Sequence, residues 1–419
     1  MQKARKLGGS MAETCCIVIG ASHAGGQLAV SLRQEGWQGR ILVIGDEHYL
    51  PYNRPPLSKT FLSGEKHVED LLIRPETQYE KVNIEVMLGQ RVGRLDRERK
   101  LVLLEDGTDI AYDKLALATG SRVRTLDLPG ADLKGVHYLR NIADVENIRP
   151  FVMPGKKAVI VGGGYIGLET AAMLRQIGMD VTVLEAADRV LSRVTAPELS
   201  AFYTRVHSEE GADVITGVGV NSFSGKKRVN EVGCDDGSAY EADLVIIGVG
   251  VIPNTELASE AGLEVDNGIR VDDRCMTSDP DIAAAGDCTS HFNTFYQCQL
   301  RLESVQNAMD QARVAASALC DKPNQYNALP WFWSDQYDLK LQIAGLSQDY
   351  DELVLRGDPG TGRKFAAFYL RQGRVIAVDA VNSPQEFMFG KQLISKMLEV
   401  DRADLANPDI PMRSLLPRA

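Results

Sequence analysis

The sequence predicts an α/β protein of doubly wound parallel layers, and three observations carry that prediction. A strand, a glycine turn, a helix and a second strand follow one another twice along the chain. Strands and helices alternate through most of the remainder. At 419 residues the chain has room for two or three domains, and 44% apolar with 25% charged residues is the make-up of a folded protein.

The first copy starts at residues 15–20 (CCIVIG), passes through a helix from about residue 25 to 35 and ends in a strand over 40–44. Its turn reads Gly20-Ala21-Ser22-His23-Ala24-Gly25, a dinucleotide fingerprint whose middle glycine is Ser22. Asp46 stands near the interval at which an acid holds a ribose hydroxyl, and its neighbour Glu47 is expected to be solvated. The second copy begins at residues 157–161 and carries the intact fingerprint Gly162-Gly163-Gly164-Tyr165-Ile166-Gly167. Its acid is Glu185, which accepts both ribose hydroxyls and repels a 2′-phosphate, so NADH is expected over NADPH. Arg189 is expected to be a solvated turn charge. Two fingerprints without metal ligands most simply mean one tight flavin and one exchanging nicotinamide.

Composition narrows the function further. Lys and Arg total 46 against 57 Asp and Glu, a formal charge of −11 that provides no global positive field for nucleic acid. Apolar runs such as 244–250 are too short to span a bilayer. Residues 1–12 are basic without an apolar core and are expected to be a dispensable leader. Seven cysteines form no CxxC pair and offer no cluster or zinc spacing, so no metal site is expected and a reducing cytoplasm fits. Each cysteine is expected to be inert core packing.

Further segments carry a resemblance. They are 114–121 (KLALATGS), 244–255 (LVIIGVGVIPNT), 277–287 with its terminal Gly286-Asp287, Arg54-Pro55-Pro56-Leu57-Ser58-Lys59, Tyr165-Ile166-Gly167-Leu168-Glu169, and Pro330-Trp331-Phe332-Trp333-Ser334-Asp335-Gln336-Tyr337. Together these resemble the oxygenase-coupled, FAD-dependent NADH–ferredoxin reductases over nearly the whole chain. The resemblance implies two Rossmann-like dinucleotide-binding domains, the second inserted in the first, and a smaller α+β C-terminal domain. The FAD-binding pieces would be 1–119 and 246–327, the NADH-binding domain 120–245, and the C-terminal interface-type domain 328–419. A polar stretch at 358–364 reads as a hairpin turn in that last domain.

The same resemblance implies residue roles. Lys59 would sit beside the reactive flavin nitrogen, paired with Glu169, which would lie near the nicotinamide ring. Asp287 would bind the ribityl chain, Val305 would present its backbone at the start of a helix, Val92 would meet the adenine side and Arg140 the flavin phosphate region. Gly20, Ala24 and Gly25 would flank the FAD pyrophosphate, with Asp46 on its ribose, and Gly162, Gly164, Gly167 and Glu185 would hold NADH. Electrons would pass from NADH through tightly bound FAD to a small 2Fe-2S ferredoxin supplying a monooxygenase or ring-hydroxylating oxygenase, docking near Arg313 and Trp333. A reductase of a small acceptor (quinone or monodehydroascorbate) and a flavin-based signalling protein of the apoptosis-inducing-factor type stay open as alternatives.

Overall fold

The computed structural model describes residues 14–416, so the expected leader at 1–12 lies outside the described residues. The chain forms two compact units, each assembled from discontinuous segments. One takes residues up to Tyr52 with Leu72–Ser121 and Pro253–Ala328; the other takes Asn53–Leu71, Arg122–Ile252 and Leu329 onward. This division differs from the expected one in two respects. The short segment Asn53–Leu71, which holds Lys59, belongs to the second unit, and the C-terminal residues share that unit with the second glycine fingerprint.

In the first unit a five-stranded parallel sheet runs in the order Ile282–Ala284, Lys114–Leu117, Cys15–Ile19, Arg40–Ile44, Ile84–Met87. Both faces are covered, and for that reason the central strand reads as an unbroken apolar run. Cys16 and Val18 pack under the helices His23–Gln34 and Val305–Leu319. Ile17 and Ile19 pack on the opposite face with Val92, Leu95 and Val102, which belong to an antiparallel sheet of strands Val92–Asp96, Leu101–Leu104 and Asp109–Ala111.

The second unit repeats the parallel layer in the order Asp213–Thr216, Asp180–Glu185, Lys157–Val161, Leu244–Ile247, Val136–Tyr138. Its helix Tyr165–Ile177 ends at Gly178, whose left-handed φ of +95° closes the last turn without a Cβ penalty. The C-terminal part is a five-stranded antiparallel sheet ordered Trp331–Gln336, Leu339–Gly345, Arg374–Val381, Phe365–Arg371, Glu352–Arg356. The turn over 358–364 joins Glu352–Arg356 to Phe365–Arg371 as expected. Strand Trp331–Gln336 lies against helix Tyr165–Ile177, which brings this sheet to the second fingerprint.

Arg356 fastens the end of the described chain. Its guanidinium is 5% exposed, pairs with Glu386 and donates to the carbonyls of Leu405, Asn407, Pro408 and Ile410. A buried guanidinium with this many acceptors cannot be removed without stranding them. Arg356→Leu is expected to cost about 3 kcal/mol and to open residues 402–416 to limited proteolysis. A variant with the parent melting temperature and cleavage pattern refutes this anchor.

Candidate functional site

The two glycine turns begin alike. Gly20 and Gly162 stand at φ +112° and +109°, and each donates its N–H to the end of the neighbouring strand, Ile44 at 2.7 Å and Leu184 at 2.8 Å. A Cβ on Gly25 would lie 1.8 Å from the Gly20 carbonyl oxygen, and one on Gly167 2.1 Å from that of Gly162. These last glycines are thus required by helix–strand approach. The middle position is different: Ser22 and Gly164 both cap their helices with extended backbone, at φ −131° and −80°. Ser22 is therefore compatible with the turn, since no positive φ is asked of it. Space within 4 Å of the Gly164 Cβ position is open, a cradle at the N-terminus of a 13-residue helix that suits a phosphate.

Glu185 closes the second turn. Its Oε2 accepts the Gly163 N–H at 2.6 Å and its Oε1 the Ala187 N–H at 2.8 Å. Two backbone donors fix the carboxylate and leave acceptor capacity for ribose hydroxyls. Arg189 departs from its expected solvated state: it donates to the carbonyls of Ser192 and Thr195 and to the Ser200 hydroxyl, stapling the loop that follows Glu185. In the first unit, Asp46 is exposed at its strand end and Ala24 is buried beneath the turn. Glu47 also departs from the solvated expectation, being half-buried and accepting the Tyr52 hydroxyl at 2.6 Å.

Asp287 is half-buried and accepts the Ser121 hydroxyl at 2.8 Å. The turn that carries it is held by a residue without a motif. Gln311 is fully buried, and its Oε1 accepts the Gly286 N–H at 2.8 Å, the Thr289 hydroxyl at 2.8 Å and the Asn307 amide at 3.3 Å. Gln311 lies on the helix that opens at Val305, where Ser304 caps the Asn307 N–H at 3.1 Å. One glutamine thus locks the Asp287 turn to that helix start. His291 packs edge-on against Tyr326, and its buried Nε2 has no hydrogen-bond partner. Val92 is buried at the start of its strand.

In the second unit the structure brings Lys59 and Glu169 together. Lys59 follows the short 3-10 turn Pro55–Ser58, and its ammonium pairs with Glu169 on helix Tyr165–Ile177. Side-chain exposures of 16% and 4% show that neither is a solvated surface charge. Ser58 donates to Glu169 Oε2 at 2.7 Å and Ser334 to Oε1 at 2.8 Å, so the buried carboxylate has three donors. Ser58 and Ser334 lie inside the quoted motifs, but nothing in their spacing marked them as partners. Arg140 is half-buried in this unit; its N–H donates to Asp144 at 2.8 Å and its carbonyl accepts from Arg54 at 2.8 Å.

The remaining expectations divide. Arg313 is ion-paired to Asp310 one turn earlier at 2.6 Å, which offsets its charge. Trp333 is half-buried and tilted against Trp331, with ring centroids 5.6 Å apart. All seven cysteines are free, but the core-packing expectation fails for Cys298, which is exposed on a hairpin, and is only half met by Cys320. Among the described residues no group of three His, Cys, Asp or Glu side chains is placed to hold a metal ion, and no helix is long and apolar enough to cross a membrane.

Comparison with known proteins accords with these turns. The pyridine nucleotide-disulphide oxidoreductase family matches residues 14–312, and the reductase C-terminal family matches residues 331–416. Putidaredoxin reductase of Pseudomonas putida is 43% identical over 409 residues, covering 96% of this chain and 97% of its own. The ferredoxin reductase subunit of 5,5'-dehydrodivanillate O-demethylase from a Sphingobium species is 43% identical over 403 residues, covering 96% and 98%. The crystal structure of the covalent putidaredoxin reductase–putidaredoxin complex superimposes with a TM-score of 0.93 at 43% identity, over 97% of this chain and 98% of that one.

Two predictions follow from the site. Glu185→Ala is expected to shift the NADH/NADPH ratio of kcat/KM toward NADPH by about tenfold, about 1.4 kcal/mol; an unchanged ratio removes Glu185 as the reader. The second concerns acid stability. Burial lowers the His291 imidazole from 6.5 to about 4 and also lowers His137 and His207. The unfolded chain therefore takes up these protons first, and stability falls as pH drops from 6.5 toward 4. Asp379 acts oppositely, since burial raises it from 3.8 to about 6 and it weakens the fold as pH rises across that window. His291→Gln is expected to flatten the acid loss of stability by up to about 3 kcal/mol; urea titrations with equal slopes against pH in both proteins refute it.

Proposed function

The chain belongs to the pyridine nucleotide-disulphide oxidoreductase family, and from that premise we infer that it is an NADH-dependent ferredoxin reductase. Electrons pass from NADH through FAD to a small 2Fe-2S ferredoxin that supplies an oxygenase. The observation that carries this reading is the duplicated glycine turn, whose first glycine holds nearly the same positive φ and whose last glycine makes the same close approach in both units. Cys15 and Cys16 do not suit a redox disulfide: they are adjacent in a buried strand, and burial pushes both thiols up, away from the reactive thiolate.

Bound FAD supplies a two-electron acceptor for hydride and a donor of single electrons, which joins a nicotinamide to an iron–sulfur partner. The residues divide the remaining work. Gly20, Ala24, Gly25, Asp46, Val92, Asp287 and Val305 are the proposed FAD contacts of the first unit, and Arg140 is proposed to bind phosphate. Gly162, Gly164, Gly167 and Glu185 hold NADH, with Glu185 disfavouring a second phosphate by like charge. Lys59 is the proposed cation that offsets the negative charge arriving with hydride, and Glu169 holds that ammonium in place.

A chain of net charge −11 repels an acidic ferredoxin, so docking requires a local positive surface. Trp333 is proposed as a docking anchor of the second unit, and Arg313 of the first is proposed as a basic contact whose charge is offset by Asp310. The free cysteines support a reducing, cytoplasmic setting.

The test is anaerobic mixing with NADH followed by ferredoxin. Flavin absorbance should bleach in the first step, and ferredoxin should be reduced faster than a quinone or monodehydroascorbate in the second. Added salt should slow ferredoxin reduction and leave ferricyanide turnover nearly unchanged. Lys59→Met should slow bleaching about tenfold with FAD retained; an undiminished rate removes Lys59 from the hydride step. Preference for a quinone over every ferredoxin tried overturns the assignment of acceptor.

A further inference from the structure

Glu169 is the end of a longer chain of hydrogen bonds, all within the second unit. Beyond Ser334, Gln336 Nε2 lies 3.2 Å from the Ser334 hydroxyl, and Gln336 Oε1 lies 2.9 Å from His207 Nε2. His207 Nδ1 in turn is 3.2 Å from the Tyr337 hydroxyl. Ser334, Gln336 and His207 are buried, with at most 2% exposure. Tyr337 is half-buried at the far end.

The direction of every bond follows from the first. A carboxylate only accepts, so the single hydroxyl proton of Ser334 points at Glu169 Oε1. Ser334 must then accept from Gln336, which turns the amide N–H₂ toward the serine and the amide oxygen toward His207. That oxygen also only accepts, so His207 carries its proton on Nε2. Its Nδ1 is left to accept from Tyr337. Four donors in series thus point toward one buried carboxylate, an arrangement in which each bond polarises the next.

The geometry of the turn adds an independent observation. Tyr337 holds the left-handed φ of +54° where the chain reverses between strands Trp331–Gln336 and Leu339–Gly345. Glycine or asparagine meets such a φ at lower cost, and the observed residue is the one with a hydroxyl reaching His207.

We propose that Ser334, backed by Gln336, His207 and Tyr337, is a positioning residue that fixes the Glu169 carboxylate and through it the Lys59 ammonium. The C-terminal sheet and helix Pro197–Glu209, which supplies His207, thereby act on the reductive half-reaction. The inference rests on the reading of Lys59 and Glu169 given above. Without the serine donor, Oε1 loses its partner and the carboxylate is held only at Oε2, by Ser58 and Lys59, so its plane is less tightly fixed and the Lys59 ammonium with it.

Rapid mixing of the FAD-loaded enzyme with NADH tests it, using Ser334→Ala, Ser334→Thr, Gln336→Met and Lys59→Met. Ser334→Ala is expected to lower the limiting rate constant of flavin reduction about five- to tenfold, with the NADH dissociation constant within about twofold of the parent. Gln336→Met should lower the rate less, and Ser334→Thr, which keeps the hydroxyl, should restore most of it. FAD content, release of FAD fluorescence on heating and melting temperature are read in parallel. An undiminished rate in Ser334→Ala beside a slowed Lys59→Met overturns this inference and leaves the reading of Lys59 standing. Undiminished rates in both overturn that reading and the inference together. Equal losses in Ser334→Ala and Ser334→Thr, or early loss of FAD in either, assign Ser334 to packing and also overturn it.

Discussion

At two places in this chain a helix starts so close to a strand end that no side chain fits between them. The Gly25–Gly20 and Gly167–Gly162 approaches leave less than 2.2 Å for a Cβ. That constraint places a helix N-terminus at the carboxyl edge of each parallel sheet. The acids proposed to read ribose sit at the same edge because the next strand ends there in register: Ile19 pairs with Ile44, and Val161 with Leu184. The nucleotide chemistry is thus a consequence of backbone packing, and side chains refine it.

Refinement takes a common form in both units. A group proposed to face ligand is held by a polar residue behind it. Gln311 gathers three donors beneath Gly286 and so orients Asp287; Ser334 and Ser58 flank Glu169 and so orient Lys59. Arg189 does the same for the loop after Glu185. Such groups are costly to bury unless every bond is made.

The C-terminal sheet is more than an appendage in this arrangement. Its first strand, Trp331–Gln336, packs on the helix that carries Glu169, and alternate residues Ser334 and Gln336 face inward with the carboxylate. Strand periodicity puts Trp331 and Trp333 on the other face, where they stack on one another. One strand therefore presents an aromatic surface on one side and hydrogen-bond donors to the ion pair on the other.

The sequence by itself determined the two parallel layers, the glycine turns, their acids and the strand and helix ends near them. Those features are local: apolar runs set the strands, and a fixed count of residues separates glycine from acid. The tertiary structure alone decided the rest. The segment Asn53–Leu71 sits in the unit opposite to that expected, Arg189 is a staple, Glu47 accepts from Tyr52, and Cys298 is exposed. Ser58 and Ser334 meet Glu169 from 111 and 165 residues away, and Gln336 and His207 are 129 residues apart. Contacts at such separations leave no period or spacing in the chain, because they are set by how layers pack and not by the path of the backbone between them.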